Sequence, residues 1–295
     1  MDNVPRRGRG IAYAIASNLC FSTGGWFVRA LESPPDGAEL VFWRSLAMTA
    51  TLGAIVTLHY GRRAAAAVAA VGAWGIVSAA FLTATFFGYL VGTAYTTVAN
   101  VNVTMATAPF VTALAGLVFL GERVPLRTWI AIAVAAAGLG VTLAGALTAE
   151  GLAGIAIALI VPLGLAGSVV INRRHGANID MVPTAIIAGL IGIVVALPFA
   201  LPLTAGTGDI MRLSAMGAIQ VGMGSLFMVL ATRHLPAVEI GLFTLLETVM
   251  GPCWAWLAAG ERPSTQAIAG GALIITAVLV NAGIARAAPR ARAVG

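Results

Sequence analysis

Two apolar runs that end on the same triplet constrain this chain more than any other feature. From Thr97 to Leu120 the sequence is apolar almost throughout, with one internal proline, Pro109. It stops at Gly121-Glu122-Arg123, with Pro125 just beyond. The pattern returns over residues 233–264 as R-H-L-P-A-V-E-I-G-L-F-T-L-L-E-T-V-M-G-P-C-W-A-W-L-A-A-G-E-R-P-S, which stops at Gly260-Glu261-Arg262 with Pro263 next. The two triplets stand 139 residues apart, about half the chain. In each, glycine suits the left-handed residue that closes a helix, and the proline that follows cannot extend it. One helix-stop-helix unit is therefore used twice.

Runs of this length point to a membrane, since a helix needs about 20 apolar residues to cross a bilayer. Hydrophobic residues make up 59% of the chain, charged residues 9%, and the mean hydropathy is +0.95. A soluble domain carries roughly 25% charged residues, so too little polar surface is available to cover a water-exposed globule. Spanning helices are predicted at roughly 11–30, 38–59, 71–93, 97–119, 126–146, 151–171, 182–203, 213–231, 237–258 and 265–285. The basic start, Met1 to Gly10, runs into a long apolar stretch without a small-residue cleavage site, which predicts a first spanning helix and no signal peptide.

Arginine placement orients these helices. All 17 basic residues are arginine. With the N-terminus in the cytoplasm, only Arg29, Arg212 and Arg262 fall in outside loops, Arg44 lies within the second helix, and the other 13 fall inside. Cytoplasmic loops favour such an excess. The expected fold is an all-α integral membrane protein of ten transmembrane helices with both termini cytoplasmic. Five helices per half is an odd number, so residues 149–295 enter the bilayer opposite to residues 1–148. That is an inverted repeat forming one membrane domain, an architecture many transporters use for alternating access.

Several function classes drop out. Cys20 and Cys253 sit in apolar runs, and His59, His175 and His234 fall at loop edges with no ligand spacing, so neither a disulfide framework nor a metal site is expected. No phosphate-cradling loop, H-E-x-x-H or G-x-S-x-G is present, which excludes an ATP-driven pump within this chain and leaves no evident enzyme. No cofactor is called for. The pI near 10.3 comes from loop arginines beside membrane helices, not from a basic patch interleaved with aromatics, so nucleic acid is not an expected partner.

F-L-G-E-R-V-P-L-R-T-W and A-A-G-E-R-P-S-T-Q-A-I-A-G-G-A-L-I-I-T resemble the paired repeats of the drug/metabolite transporter superfamily, EamA type. A-P-F-V at 108–111 resembles that family's small-Pro-Phe/Val step, L-L-E-T-V at 245–249 its Leu-Glu-Pro-Val step, and Arg44 in F-W-R-S-L-A its arginine early in the second helix. Thr248 stands where the family usually has proline, and Pro252 follows four residues later, which displaces the expected kink. The resemblance implies a multi-pass protein of the bacterial inner membrane that exports amino acids, related metabolites or drugs, with one subgroup exporting aromatic amino acids. The expected partners are a small-molecule substrate and the bilayer, with a homodimer allowed. The alternatives are a multidrug (organic-cation) or nucleotide-type carrier, and a non-transporting membrane subunit.

The candidate substrate-binding residues are polar or aromatic groups at spanning depth. Thr97, Asn100, Thr104 and Thr107 line up on one face of helix four, and Glu239, Phe243, Glu247, Met250 and Trp254 on one face of helix nine. Under the 139-residue offset Asn100 matches Glu239 and Thr104 matches Phe243. Small hydroxyl residues are equally at home in helix packing. Glu247 lies near the bilayer centre, where a carboxylate is costly and marks a functional or paired site. It can bind a substrate amine, exchange a proton, or pair with Arg44. Phe81, Thr85 and Tyr89 form a stripe on helix three with Ser78. Asn18, Ser22, Asn102 and Gln220 complete the set, and Pro109 and Pro252 are the expected hinges.

Overall fold

The computed structural model describes residues 4–33, 35–122, 124–145, 149–175, 181–232, 234, 243 and 245–287. Among them, eight helical spans are long and apolar enough to cross a membrane: Gly8–Arg29, Gly37–Ala69, Gly72–Tyr95, Val98–Leu120, Leu126–Ala144, Gly151–Ile171, Pro183–Ala200 and Thr207–Met228. The expected ninth span lies partly outside the described residues, and its described part is helical over Leu245–Ala259. The expected tenth is the helix Thr265–Ala287. No strand occurs among the described residues.

Several spans are broken where the chemistry of single residues dictates. The first divides at Thr23 into α1 (Val4–Ser22) and α2 (Gly24–Arg29), and the Thr23 hydroxyl donates back to the Cys20 carbonyl. α3 (Gly37–Tyr60) starts on Asp36, whose carboxylate accepts the Glu39 N–H. α4 (Ala64–Ala69) and α5 (Gly72–Tyr95) follow. The fourth span divides into α6 (Val98–Met105) and α7 (Ala108–Leu120). Pro109 has no N–H for the Met105 carbonyl, so one helical hydrogen bond is missing at this break. α8 (Leu126–Ala144) is continuous, whereas α9 (Ala149–Ala158) and α10 (Ile160–His175) meet just before Pro162. α11 (Met181–Ala200) is followed by α12 (Thr207–Ala215), a π-helical segment over Met216–Met223, and α13 (Gly224–Thr232). The last two helices are α14 (Leu245–Ala259), which holds Pro252 internally without breaking, and α15 (Thr265–Ala287). Gly121 and Gly260 both adopt the left-handed conformation expected of helix stops, at φ 67° and 65°.

Helices from the two sequence halves interleave. α3 packs on α11 and the π segment, α5 on α9 and α10, α8 on α15, and α1 on α13 and α14. Glycines set the closest approaches, as expected where lipid offers helices no hydrophobic incentive to associate. A Cβ on Gly138 of α8 would lie 2.7 Å from the Gly270 carbonyl oxygen of α15, so these two helices meet backbone to backbone. The central core joins Phe27, Leu40, Leu90 and Val101 to Val161, Ala196, Leu213 and Met216.

One end of the bundle is tied by buried carboxylates. Glu39 is 1% exposed and accepts from Trp43 Nε1 (3.1 Å), from the Thr204 N–H and hydroxyl (3.0 and 2.9 Å) and from the Ala205 N–H (2.9 Å). Asp209 accepts the Glu32 and Ser33 N–H groups, each at 3.0 Å, and pairs with Arg212. These two acids pin the 201–206 connection and the 30–33 turn to the helix ends.

Candidate functional site

A cavity of about 510 Å³ lies within the bundle, walled by α1, α3, α5, α6, α7, α10, α11, the π segment, α13 and α14. Its surface is largely apolar, through residues such as Phe21, Leu82, Phe86, Val161 and Leu165. A few polar groups interrupt it. Asn18 comes from α1, Arg44 from α3, Thr85 and Tyr89 from α5, Thr112 from α7, Gln220 from the π segment, and Glu247 and Thr248 from α14. An apolar concavity with a small set of placed polar groups is the usual form of a small-molecule site. Met105, Ala106, Ala108 and Pro109 also line it, so the break between α6 and α7 faces the cavity. Irregular backbone at membrane depth is tolerated where it borders such a space.

Gln220 organises the polar part. Its Nε2 donates to the Phe21 carbonyl at 3.1 Å, and its Oε1 accepts from Arg44 Nε at 3.3 Å. Short π-helical insertions occur often at functional sites, and this one lets a single amide bridge α1 and α3. Close approach is needed on both sides. A Cβ on Gly217 would lie 2.3 Å from the Arg44 carbonyl oxygen, and one on Gly24 would lie 2.1 Å from Gln220 Nε2 and 2.9 Å from the Tyr89 hydroxyl. The Arg44 guanidinium also sits 4.6 Å from the centroid of the Phe86 ring, a cation–π geometry. Arg44 makes no ion pair with Glu247. Neither hydrogen bond nor ion pair to Glu247 occurs among the described residues.

Of the residues singled out in the sequence, Asn18, Arg44, Thr85, Tyr89, Pro109, Gln220 and Glu247 meet at this cavity, with Thr248 beside Glu247. The others lie elsewhere. Ser22 accepts from Trp254 Nε1 at 2.9 Å and donates to the Leu19 carbonyl. Phe81 packs on Gly164 and Gly167 of α10 and is 39% exposed. Asn100 donates to the Thr96 hydroxyl at 2.9 Å and borders a separate recess of about 380 Å³ with Arg29, Thr96 and Thr97. Asn102 is buried against Gly251, and Phe243 packs against the Ala14–Ala231 contact. Glu239 falls outside the described residues. The hydroxyls of helix four are spent locally, with Thr104 bonding the Asn100 carbonyl (2.8 Å) and Thr107 the Thr104 carbonyl (2.7 Å).

Two segments of the chain, 8–144 and 152–283, match the EamA-like transporter family. The chain belongs to that family. It is a multi-pass membrane transporter of the drug/metabolite transporter superfamily. The pseudopaline exporter CntI of Pseudomonas aeruginosa, strain UCBPP-PA14, is 24% identical to it over 281 residues, 92% of this chain and 94% of the exporter. The same protein from strain PAO1 matches to the same extent. A solved crystal structure of 16% identity superposes with a TM-score of 0.62 over 95% of this chain and 99% of that one, which shows a shared fold.

For this EamA-like chain the sequence stripe on α5 was close but rotated. Ser78 and Phe81 face α10, where the Ser78 and Ser168 hydroxyls meet at 2.7 Å, while Leu82 and Phe86 turn to the cavity beside Thr85 and Tyr89. Phe21, Phe86, Thr112 and Ser225 line the cavity without having been singled out. Phe21 stands three residues after Asn18 on the same helical face, a spacing from which it could have been found.

Proposed function

We propose that this transporter exports amino acids, including those with aromatic or apolar side chains, or similar small metabolites, through the central cavity. Its ten helices form two inverted five-helix halves, residues 1–148 and 149–295, in the bacterial inner membrane with both termini cytoplasmic. The halves rock about α7 and α14, exposing the cavity to each side in turn. One observation carries the substrate reading: a central cavity walled by both halves holds a carboxylate, Glu247, and a guanidinium, Arg44, that are not paired with each other, amid aromatic and aliphatic side chains. A cavity with one group of each sign suits an amphoteric solute with an apolar side chain. The relative that exports pseudopaline supports the outward direction.

A second reading is favoured by Glu247 with Phe21, Phe86 and Tyr89 alone, since a carboxylate among rings suits an organic cation. Counterflow separates the two. Proteoliposomes preloaded with unlabelled amino acids are challenged with labelled phenylalanine, threonine, methionine and lysine. Accumulation by wild type, reduced in Glu247→Gln, is the expected result. A folded protein that accumulates none of them but does accumulate an organic cation sinks the amino-acid reading.

A further inference from the structure

We infer that Arg44 is the anchor for a carboxylate in the substrate, and that Gln220 is the residue that positions it. This rests on the proposed function and adds the chemical group the cavity selects. Arg44 is 3% exposed and borders the cavity. A buried guanidinium normally has a counter-ion, because the loss of its hydration is repaid only by opposite charge and full hydrogen bonding. Here it has neither. No acid lies within ion-pair distance among the described residues, and Nη1 has no hydrogen-bond partner. What holds the side chain is neutral: the Gln220 amide oxygen on Nε and the Phe86 ring.

These contacts orient the guanidinium without cancelling its charge. The Gln220 amide cannot turn over freely, because its Nε2 is already committed to the Phe21 carbonyl and its oxygen therefore faces Arg44. These contacts leave Nη1, which is buried, without a protein partner. The Tyr89 hydroxyl borders the same cavity and comes close to Gln220 in the space that Gly24 leaves open, which adds a second donor beside the first. A guanidinium without a counter-ion beside a hydroxyl fits a carboxylate, whose two oxygens accept paired donors. An organic cation gains nothing from this end of the cavity. Glu247, from α14, supplies the opposite sign for an ammonium group.

Thermal unfolding of the purified full chain in detergent tests the anchor apart from transport, because a ligand that binds only the folded state raises its midpoint. The probes are phenylalanine, 3-phenylpropionate (carboxylate only), phenylalaninamide (carboxylate neutralised) and phenethylamine (amine only). Phenylalanine and 3-phenylpropionate are expected to stabilise wild type. Phenylalaninamide is expected to bind at least about tenfold more weakly than phenylalanine, the factor that about 1.4 kcal/mol represents. In Arg44→Gln the preference for the carboxylate disappears. In Gln220→Glu, which keeps Arg44 but gives it an internal counter-ion, it disappears as well, so the test survives if Arg44→Gln does not fold. Glu247→Gln retains stabilisation by 3-phenylpropionate. The anchor is overturned if no carboxylate probe stabilises wild type, if phenethylamine alone does so, or if Gln220→Glu keeps the wild-type ratio. Carboxylate-dependent stabilisation without any amino-acid counterflow would leave the anchor standing and remove the amino-acid export reading instead.

Discussion

The carboxylate of Glu261 accepts the backbone N–H of Val98 at 2.8 Å, across 163 residues of sequence. Val98 is the first residue of α6, so the glutamate of the second Gly-Glu-Arg triplet caps a helix of the first half. The other oxygen of Glu261 takes Nε of Arg29, whose Nη2 donates to the Thr96 carbonyl at 3.0 Å. One acid and one arginine thus satisfy the groups exposed where the chain turns between α5 and α6. The triplet read from sequence as a helix stop is also a clasp between the halves. Glu122 holds the corresponding place in the first triplet, and the position 139 residues after Val98, Ala237, lies outside the described residues.

The clasp predicts a charge-swap result. Glu261→Ala removes a helix cap and an ion-pair partner and is expected to cost about 1–2 kcal/mol, lowering the thermal midpoint by roughly 2–6 °C. Arg29→Glu, which sets two acids against each other, is expected to lose more. The double variant Arg29→Glu with Glu261→Arg should regain part of the pair energy but not the cap, because an arginine cannot accept the Val98 N–H. Measured midpoints of the two singles and the double give the coupling directly. Purely additive values would show that the pair contributes nothing.

Gly24 predicts a different kind of loss. Its absent Cβ leaves room for the Gln220 amide and the Tyr89 hydroxyl, and an alanine there would strike both. Gly24→Ala should therefore displace the amide and cost about 1–3 kcal/mol, since its bonds to the Phe21 carbonyl and to Arg44 are lost. Substrate binding should fall by about tenfold or more as Arg44 loses its orienting partner. Thermal midpoint and counterflow affinity, measured on the same preparation, separate the two effects. Unchanged affinity in a protein of lowered midpoint would argue against the positioning role.

What could be read from the sequence divides along physical lines. Span positions follow from apolar length alone, and the helix-closing glycines from backbone conformation, so Gly37–Tyr60 and Gly72–Tyr95 fall within a few residues of expectation. The direction a side chain faces depends on the helix phase within a bundle apolar all round, where no polar face fixes the rotation. That is why the α5 stripe was found but turned by one residue. The π segment has no sequence mark, and its extra residue per turn aims Gln220 between two helices. Threonine stripes mislead for another reason: Thr104 and Thr107 satisfy their hydroxyls on their own helix and have nothing left to offer a solute. Arg44 was visible as a charge within the second helix, but of the three roles open to Glu247 the pairing with Arg44 does not occur, and the uncharged Gln220 amide that holds Arg44 carries no charge signal in the sequence.

Glu39 is predicted to matter for stability and not for transport. Its two oxygens receive three protein N–H groups and a hydroxyl, all at one end of the bundle and away from the cavity. Glu39→Gln removes the negative charge on which three N–H groups and a hydroxyl converge and weakens these charge-assisted bonds, at a cost of about 2–3 kcal/mol. The thermal midpoint should drop by several degrees while counterflow per folded molecule stays within about twofold of wild type. A transport defect without a stability defect would move Glu39 into the transport cycle.

Pro109 offers the sharpest test of a hinge. At the break between α6 and α7 residue 109 brings no N–H to the Met105 carbonyl, and the broken segment faces the cavity. Pro109→Ala restores a donor at that position and lets a single helix run from Val98 to Leu120. Healing the break should leave the thermal midpoint unchanged or raise it, because a backbone hydrogen bond is gained. If the halves rock about this point, the same change should slow counterflow by about tenfold while equilibrium binding of phenylalanine is kept. Pro252 differs, since α14 runs through it unbroken, and Pro252→Ala should have the smaller effect on rate. Equal rates for wild type and Pro109→Ala would place the moving joint elsewhere in the bundle.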